Sequence, residues 1–153
     1  MRIIALQGKH DTGKTTTLKM LIKLIQDDKT FVRERLISKD GNLDSPRGEA
    51  RCWVTRNGVR IGITTRGDSV AGLRGDFYEK RYNFRDRHLV VCAIRSHGKT
   101  EDFVQSQATN GLIRHKKYPV LGSKECQSAA NLAQAKELLE SIKEFTSDME
   151  ETK

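Results

Sequence analysis

Two hydrophobic periods alternate along this chain and lay out its elements. Arg2 to Gln7 is apolar with almost no polar relief, as in a strand covered on both faces. From Thr15 to Gln26 the period changes, and Leu18, Leu21, Ile22 and Ile25 fall at i, i+3, i+4 and i+7, one stripe of a helix. Lys19 and Lys23 lie off that stripe and are expected in water. Phe31 to Ile37 reads as a second strand. Lys39 to Gly48, with its glycines, aspartates and Pro46, reads as a loop.

Arg51 to Arg56 and Val59 to Thr64 flank Asn57-Gly58, a pair suited to a two-residue turn with positive φ at both centres. Pairing about it sets Arg56 opposite Val59, Val54 opposite Ile61 and Cys52 opposite Ile63. One face then carries Cys52, Val54, Ile61 and Ile63, with Trp53 opposite Gly62 on the other. Leu89 to Ile94 is another buried strand. Thr100 to Ala108 has helical character closed by Asn110-Gly111. Tyr118 to Leu121 suggests a short strand or edge. A last helix is expected from Ser128 to Phe145, with Leu132, Ala135, Leu138, Leu139, Ile142 and Phe145 on one stripe.

This order predicts an α/β fold, three layers with a mainly parallel sheet, an antiparallel hairpin and helices on both faces. One domain over residues 1–147 and a frayed acidic tail over 148–153 are expected. At 153 residues the chain suits a single core. No apolar run approaches the roughly 20 residues of a membrane span, and the N-terminal apolar run is too short for a signal peptide, so no membrane partner and a cytoplasmic location are expected. Cys52, Cys92 and Cys126 have no metal-ligand spacing, and the first two fall in strand patterns as buried thiols. The net charge of +8 adds an attraction to polyanions.

The candidate chemistry sits between the first strand and the first helix. Gly8-Lys9-His10-Asp11-Thr12-Gly13-Lys14-Thr15 fits G-x-x-x-x-G-K-[ST] with the strand before it and the helix after it. Glycines let backbone amides close around an anion, and the helix N-terminus adds unpaired N–H groups and a favourable dipole. The stretch resembles the Walker A loop of the P-loop NTPase superfamily over residues 2–26. The resemblance implies a nucleotide cradle of Gly8, Lys9, His10, Asp11, Thr12, Gly13, Lys14, Thr15 and Thr16. Lys14 would reach the β- and γ-phosphates, Thr15 would bind Mg²⁺, and Thr16 would contact the α-phosphate. Lys9 is also placed like the signature lysine of the deviant Walker A in ParA and MinD ATPases, which implies a homodimer. His10 and Asp11 stand where that group has glycines.

The magnesium-binding acid is less evident. Leu89 to Ile94 is followed by Arg95 rather than an aspartate, which leaves Asp68, behind the hairpin, as the leading candidate. Arg66 and Arg95 are candidate phosphate clamps, and Arg95, His97 and Lys99 follow a central strand where ligands of such sheets gather. The catalytic candidates are Lys14, Asp68 and Arg95, and the metal candidates Thr15 and Asp68. No Asn-Lys-x-Asp occurs, which favours ATP over GTP. Arg74, Lys80, Arg81, Arg85 and Arg87 lie among Phe77, Tyr78, Tyr82 and Phe84. They fit a phosphate lid, a nucleic-acid surface with stacking aromatics, or a solvated loop. Three classes stay open: an ATPase, a small-molecule or nucleotide kinase, and a nucleic-acid-associated or ParA/MinD-like ATPase switch.

Overall fold

The computed structural model describes residues 1–9, 12–38, 43–44 and 48–151, with backbone alone for 148–151. In chain order the elements are β1 Arg2–Gln7, α1 Lys14–Asp27, β2 Val32–Ser38, β3 Ala50–Arg56, β4 Val59–Thr64 and α2 Val70–Tyr78. A 3-10 turn Phe84–Asp86 follows, then β5 Leu89–Ile94, α3 Lys99–Gln107, β6 Leu112–Lys116 and α4 Lys124–Glu151. The six strands form one sheet in the order β2-β3-β4-β5-β1-β6. The pairings of β4 with β5, β5 with β1 and β1 with β6 are parallel, and those of β2 with β3 and β3 with β4 antiparallel. The fold is therefore α/β with a mixed sheet.

The unrelieved apolar run of β1 is used on both sides. Ile4 and Leu6 join the core under α1 and α4, with Leu18, Leu21, Ile22, Leu138 and Ile142. Ile3 and Ala5 join the opposite core under α2 and α3, with Leu73, Phe77, Phe103 and Val104. Each large side chain buried this way contributes about 1.5–3 kcal/mol relative to exposure.

The hairpin has the register that its turn and face pattern require: Arg56 pairs with Val59, Val54 with Ile61, Trp53 with Gly62 and Cys52 with Ile63. Asn57 and Gly58 take φ of 53° and 79°, as a primed turn demands. Cys52 and Cys92 are buried free thiols, and burial raises both to a pKa of about 12.

Several expectations need correction. Tyr118 to Leu121 is not a strand. The strand in this region is β6, one of the two edges of the sheet, where only Leu112 and His115 are half-buried, so it lacks an apolar signature. Lys19 is buried rather than solvated, although it lies off the apolar stripe of α1. In α4 the expected Ala135, Leu138 and Ile142 are buried and Leu139 and Phe145 pack half-buried against the same core, while Asn131 and Thr146 join the stripe and Leu132 lies on the exposed side. That helix starts earlier than its apolar pattern, where Ser123 caps it by accepting from the Cys126 amide at 3.2 Å. Helix α2 was hidden by Gly72 and Gly75. Ser69 caps it, accepting from the Gly72 amide at 3.1 Å, and Leu73 and Phe77 anchor it in the core. The expected 39–48 loop lies largely outside the described residues, as do His10, Asp11 and the side chains of the expected 148–153 tail. Among the described residues, no helix is long and apolar enough to cross a membrane.

Candidate functional site

The C-terminal ends of β1, β4, β5 and β6 point the same way, and the candidate residues gather on that rim. The chain leaves β1 pinned to its neighbours: the Gly8 amide donates to Ile94 O at 3.1 Å, and the Lys117 amide donates to Gln7 O at 2.6 Å. Gly8 admits no side chain, since a Cβ there would stand 2.6 Å from Lys117 O and 2.9 Å from Thr12 Oγ1. The buried Thr12 hydroxyl donates to Lys9 O at 2.8 Å, which ties residues 9 and 12 together. Lys9 is exposed.

The loop becomes helix at Gly13, which has φ of 91° and caps α1 without a side chain. A Cβ at Gly13 would also meet Asn131 Oδ1 at 3.0 Å. The first amides of α1, on Lys14, Thr15 and Thr16, precede the first internal bond, from Thr17 N to Gly13 O at 2.9 Å. With the helix dipole these groups make an anion-accepting end. Thr15 is half-buried and Thr16 exposed.

Lys14 is buried, and its Nζ donates to Gly8 O at 2.6 Å and Ile94 O at 3.2 Å. An ammonium has three donors, so one is left beyond these two. Burial lowers its pKa below the ordinary lysine value, the field of Asp68 opposes that, and Arg95 adds a smaller downward push. Lys14, Asp68 and Arg95 thus share one electrostatic neighbourhood although 27 or more positions separate each pair in the chain.

Asp68 is carried there by a turn laid across the end of β5. A Cβ on Gly67 would come within 2.0 Å of Ala93 O. The turn is held from beneath: the Arg66 amide donates to Thr64 Oγ1 at 3.1 Å, and Thr64 Oγ1 donates to Asp76 Oδ2 at 2.5 Å. Asp76 is fully buried in α2, and its other oxygen accepts from Arg51 Nε at 2.9 Å. The Arg66 side chain lies along the first turn of α2, near Gly72, while exposed Arg95 lies across from Asp68. Asp68, Arg95, His97 and Lys99 line a cavity of about 360 Å³.

A second cavity of about 290 Å³ opens behind Gly8 and Lys9, walled by Ser96, Lys117, Tyr118 and Pro119. Lys117 is buried, burial lowers its pKa, and its Nζ donates to Asn131 Oδ1 at 2.5 Å. Gln7 joins the rim by donating from Nε2 to Ser96 O at 3.0 Å and Glu101 Oε2 at 3.0 Å. Sequence reasoning missed Gln7, Lys117, Asn131 and the Asp76–Thr64 support. A signal existed for Asn131, a polar residue in line with Ala135, Leu138 and Ile142.

No group of three or more His, Cys, Asp or Glu residues suited to a metal occurs among the described residues. No protein-family model, no curated protein and no solved structure matches the chain.

Proposed function

We propose that this chain is a P-loop nucleoside triphosphatase that binds Mg·ATP at residues 8–16 and cleaves the γ-phosphoryl group. The observation that carries this reading is Lys14, a buried ammonium held on the main-chain carbonyls of Gly8 and Ile94 at a helix end that no side chain caps. The carbonyls of Gly8 and Ile94 keep the ammonium in place, and phosphate oxygens can take up its remaining donor. The α1 amides and Lys14 stabilise charge on the β- and γ-phosphates as the bridging P–O bond breaks and a water oxygen bonds to phosphorus. Arg95 supports the same charge from across the rim.

Thr15 and Asp68 are the residues that would hold Mg²⁺. The ion needs only one or two protein oxygens beside phosphates and waters, which a hydroxyl and one carboxylate can supply. Bound there, the ion would neutralise charge between the β- and γ-phosphates. The cavity beside Lys117 and Tyr118 is the proposed seat of the nucleoside.

One observation favours a second reading, transfer to an acceptor: the cavity between Asp68 and Lys99 adjoins the Lys14 neighbourhood and carries three basic side chains. A thermal-shift screen of ATP, GTP, CTP and UTP with and without Mg²⁺ tests the binding, since a ligand of the native state raises the melting temperature. A rise with ATP and Mg²⁺ is expected, and no rise with any triphosphate would overturn the reading. ADP release with and without candidate hydroxyl acceptors separates hydrolysis from transfer.

A further inference from the structure

Phe77 and Phe84 are fully buried, so two of the four aromatics in the Arg74–Arg87 stretch are core and offer no stacking surface. Four further rings, the buried Trp53 and Phe103 and the more exposed Tyr78 and Tyr82, carry arginines over them. Arg35 lies over Trp53 with its guanidinium carbon 4.8 Å from the ring centroid, and Arg81 over Tyr82 at 4.6 Å. Arg85 lies over Tyr78 at 5.0 Å, and Arg74 over Phe103 at 5.7 Å.

These pairs form a connected strip from β2 to α3. Arg35 Nη1 donates to Arg81 O at 2.6 Å, and Trp53 stacks on Tyr82 with an interplanar angle of 23°. Tyr78 then donates to Gln107 Oε1 at 2.8 Å, and Arg74, Tyr78 and Phe103 wall a common cavity of about 370 Å³. Arg81 is paired with Glu79, whereas Arg35, Arg74 and Arg85 have no carboxylate partner among the described residues.

A guanidinium seated on a ring is partly ordered before it meets a ligand, with N–H groups at its edge and a free outer plane. Those features fit phosphates along the edge and unpaired bases on the plane. We infer that this strip is a binding surface for single-stranded nucleic acid, read through arginines rather than through the aromatics beneath them. It lies on the α2/α3 side of the sheet and does not depend on the nucleotide reading.

The test is fluorescence anisotropy with a labelled oligothymidine of about 20 nucleotides, titrated over a range of salt. A duplex of equal length and phosphatidylserine vesicles serve as competitors. Replacing Arg35, Arg74 and Arg85 together by Gln should weaken strand binding about tenfold or more. It should also reduce the log–log salt slope by about 2, at roughly 0.7 per lost phosphate contact. Replacing exposed Lys29, Lys124 and Lys136 by Gln removes equal charge elsewhere and should leave most of the affinity. Both variants should unfold cooperatively and keep the rise in melting temperature with Mg·ATP, so failure here is distinct from failure at the glycine turn. Absence of strand binding, equal losses in the two variants, or a preference for duplex or vesicles would overturn the inference.

Discussion

The turn behind β1 and the turn behind β4 cross the same rim of the sheet and are built in opposite ways. The first is mostly continuous in sequence, joined from elsewhere by the Ile94 carbonyl at the end of β5. Gly8, Thr12, Gly13 and Lys14 close on one another, and the buried charge among them is an ammonium held by neutral carbonyls. The second, from Thr65 to Ser69, is held by groups brought from elsewhere: Thr64 at the end of β4, Asp76 from α2 and Arg51 from β3. Its buried charges are paired and hydrogen-bonded. A charge satisfied by an opposite charge supports the fold, whereas one held only by carbonyls is left available to a ligand. The two turns should therefore fail differently when broken.

Asp76→Ala should have the largest effect. It strands the buried Arg51 guanidinium and unties Thr64, and should cost about 3–5 kcal/mol in chemical denaturation, as for a broken buried pair. A loss below about 1 kcal/mol would mean that the pair does not hold the turn. Lys14→Ala should weaken Mg·ATP binding by about 1.5–3 kcal/mol in calorimetry, the range for a charged hydrogen bond, with little loss of folding stability. Equal affinity in the variant would remove the contrast between the two turns.

Gly67→Ala sharpens the comparison, because the added Cβ meets the Ala93 backbone rather than a flexible side chain. A stability loss of about 1–3 kcal/mol is expected from such overpacking, and turnover should fall as Asp68 is displaced. Unchanged stability and turnover would show that the turn is not seated on β5. The smallest effect belongs to Asp28, which pairs with Lys143 at 2.8 Å beyond the far end of α1. The hydrogen bonds from Lys143 and Thr30 hold its carboxyl well below the usual range. A depressed carboxyl stabilises the fold above its unfolded pKa of about 4, and that contribution fades as pH falls below it. Asp28→Asn should thus cost about 0.3–1 kcal/mol at pH 7 and almost nothing in strong acid, without altering nucleotide affinity. A pH-independent loss would remove the ion-pair explanation.

Local chemistry made much of the molecule legible. The β1 run, the α1 stripe and the Asn57-Gly58 hairpin each declare themselves within a few residues, because a strand period, a helix period and a primed turn are short-range constraints. The glycine turn is legible for the same reason, its groups being neighbours in the chain. The edge strand β6 was not, since its five residues carry arginine, histidine and lysine and only Leu112 and His115 are half-buried. Nor was α2, whose Gly72 and Gly75 weaken its helical signal while Leu73 and Phe77 hold it by packing.

From the sequence alone came β1, α1, β5, the hairpin with its register and the glycine turn as a candidate anion cradle, all readable from near neighbours. Only the tertiary structure decided that Asp68 and Arg95 share the field of Lys14, that Asn131 and Lys117 back the turn, and that Asp76 supports its counterpart. Those meetings depend on strand order, and strand order is settled by burying both faces of one sheet under helices distant in the chain.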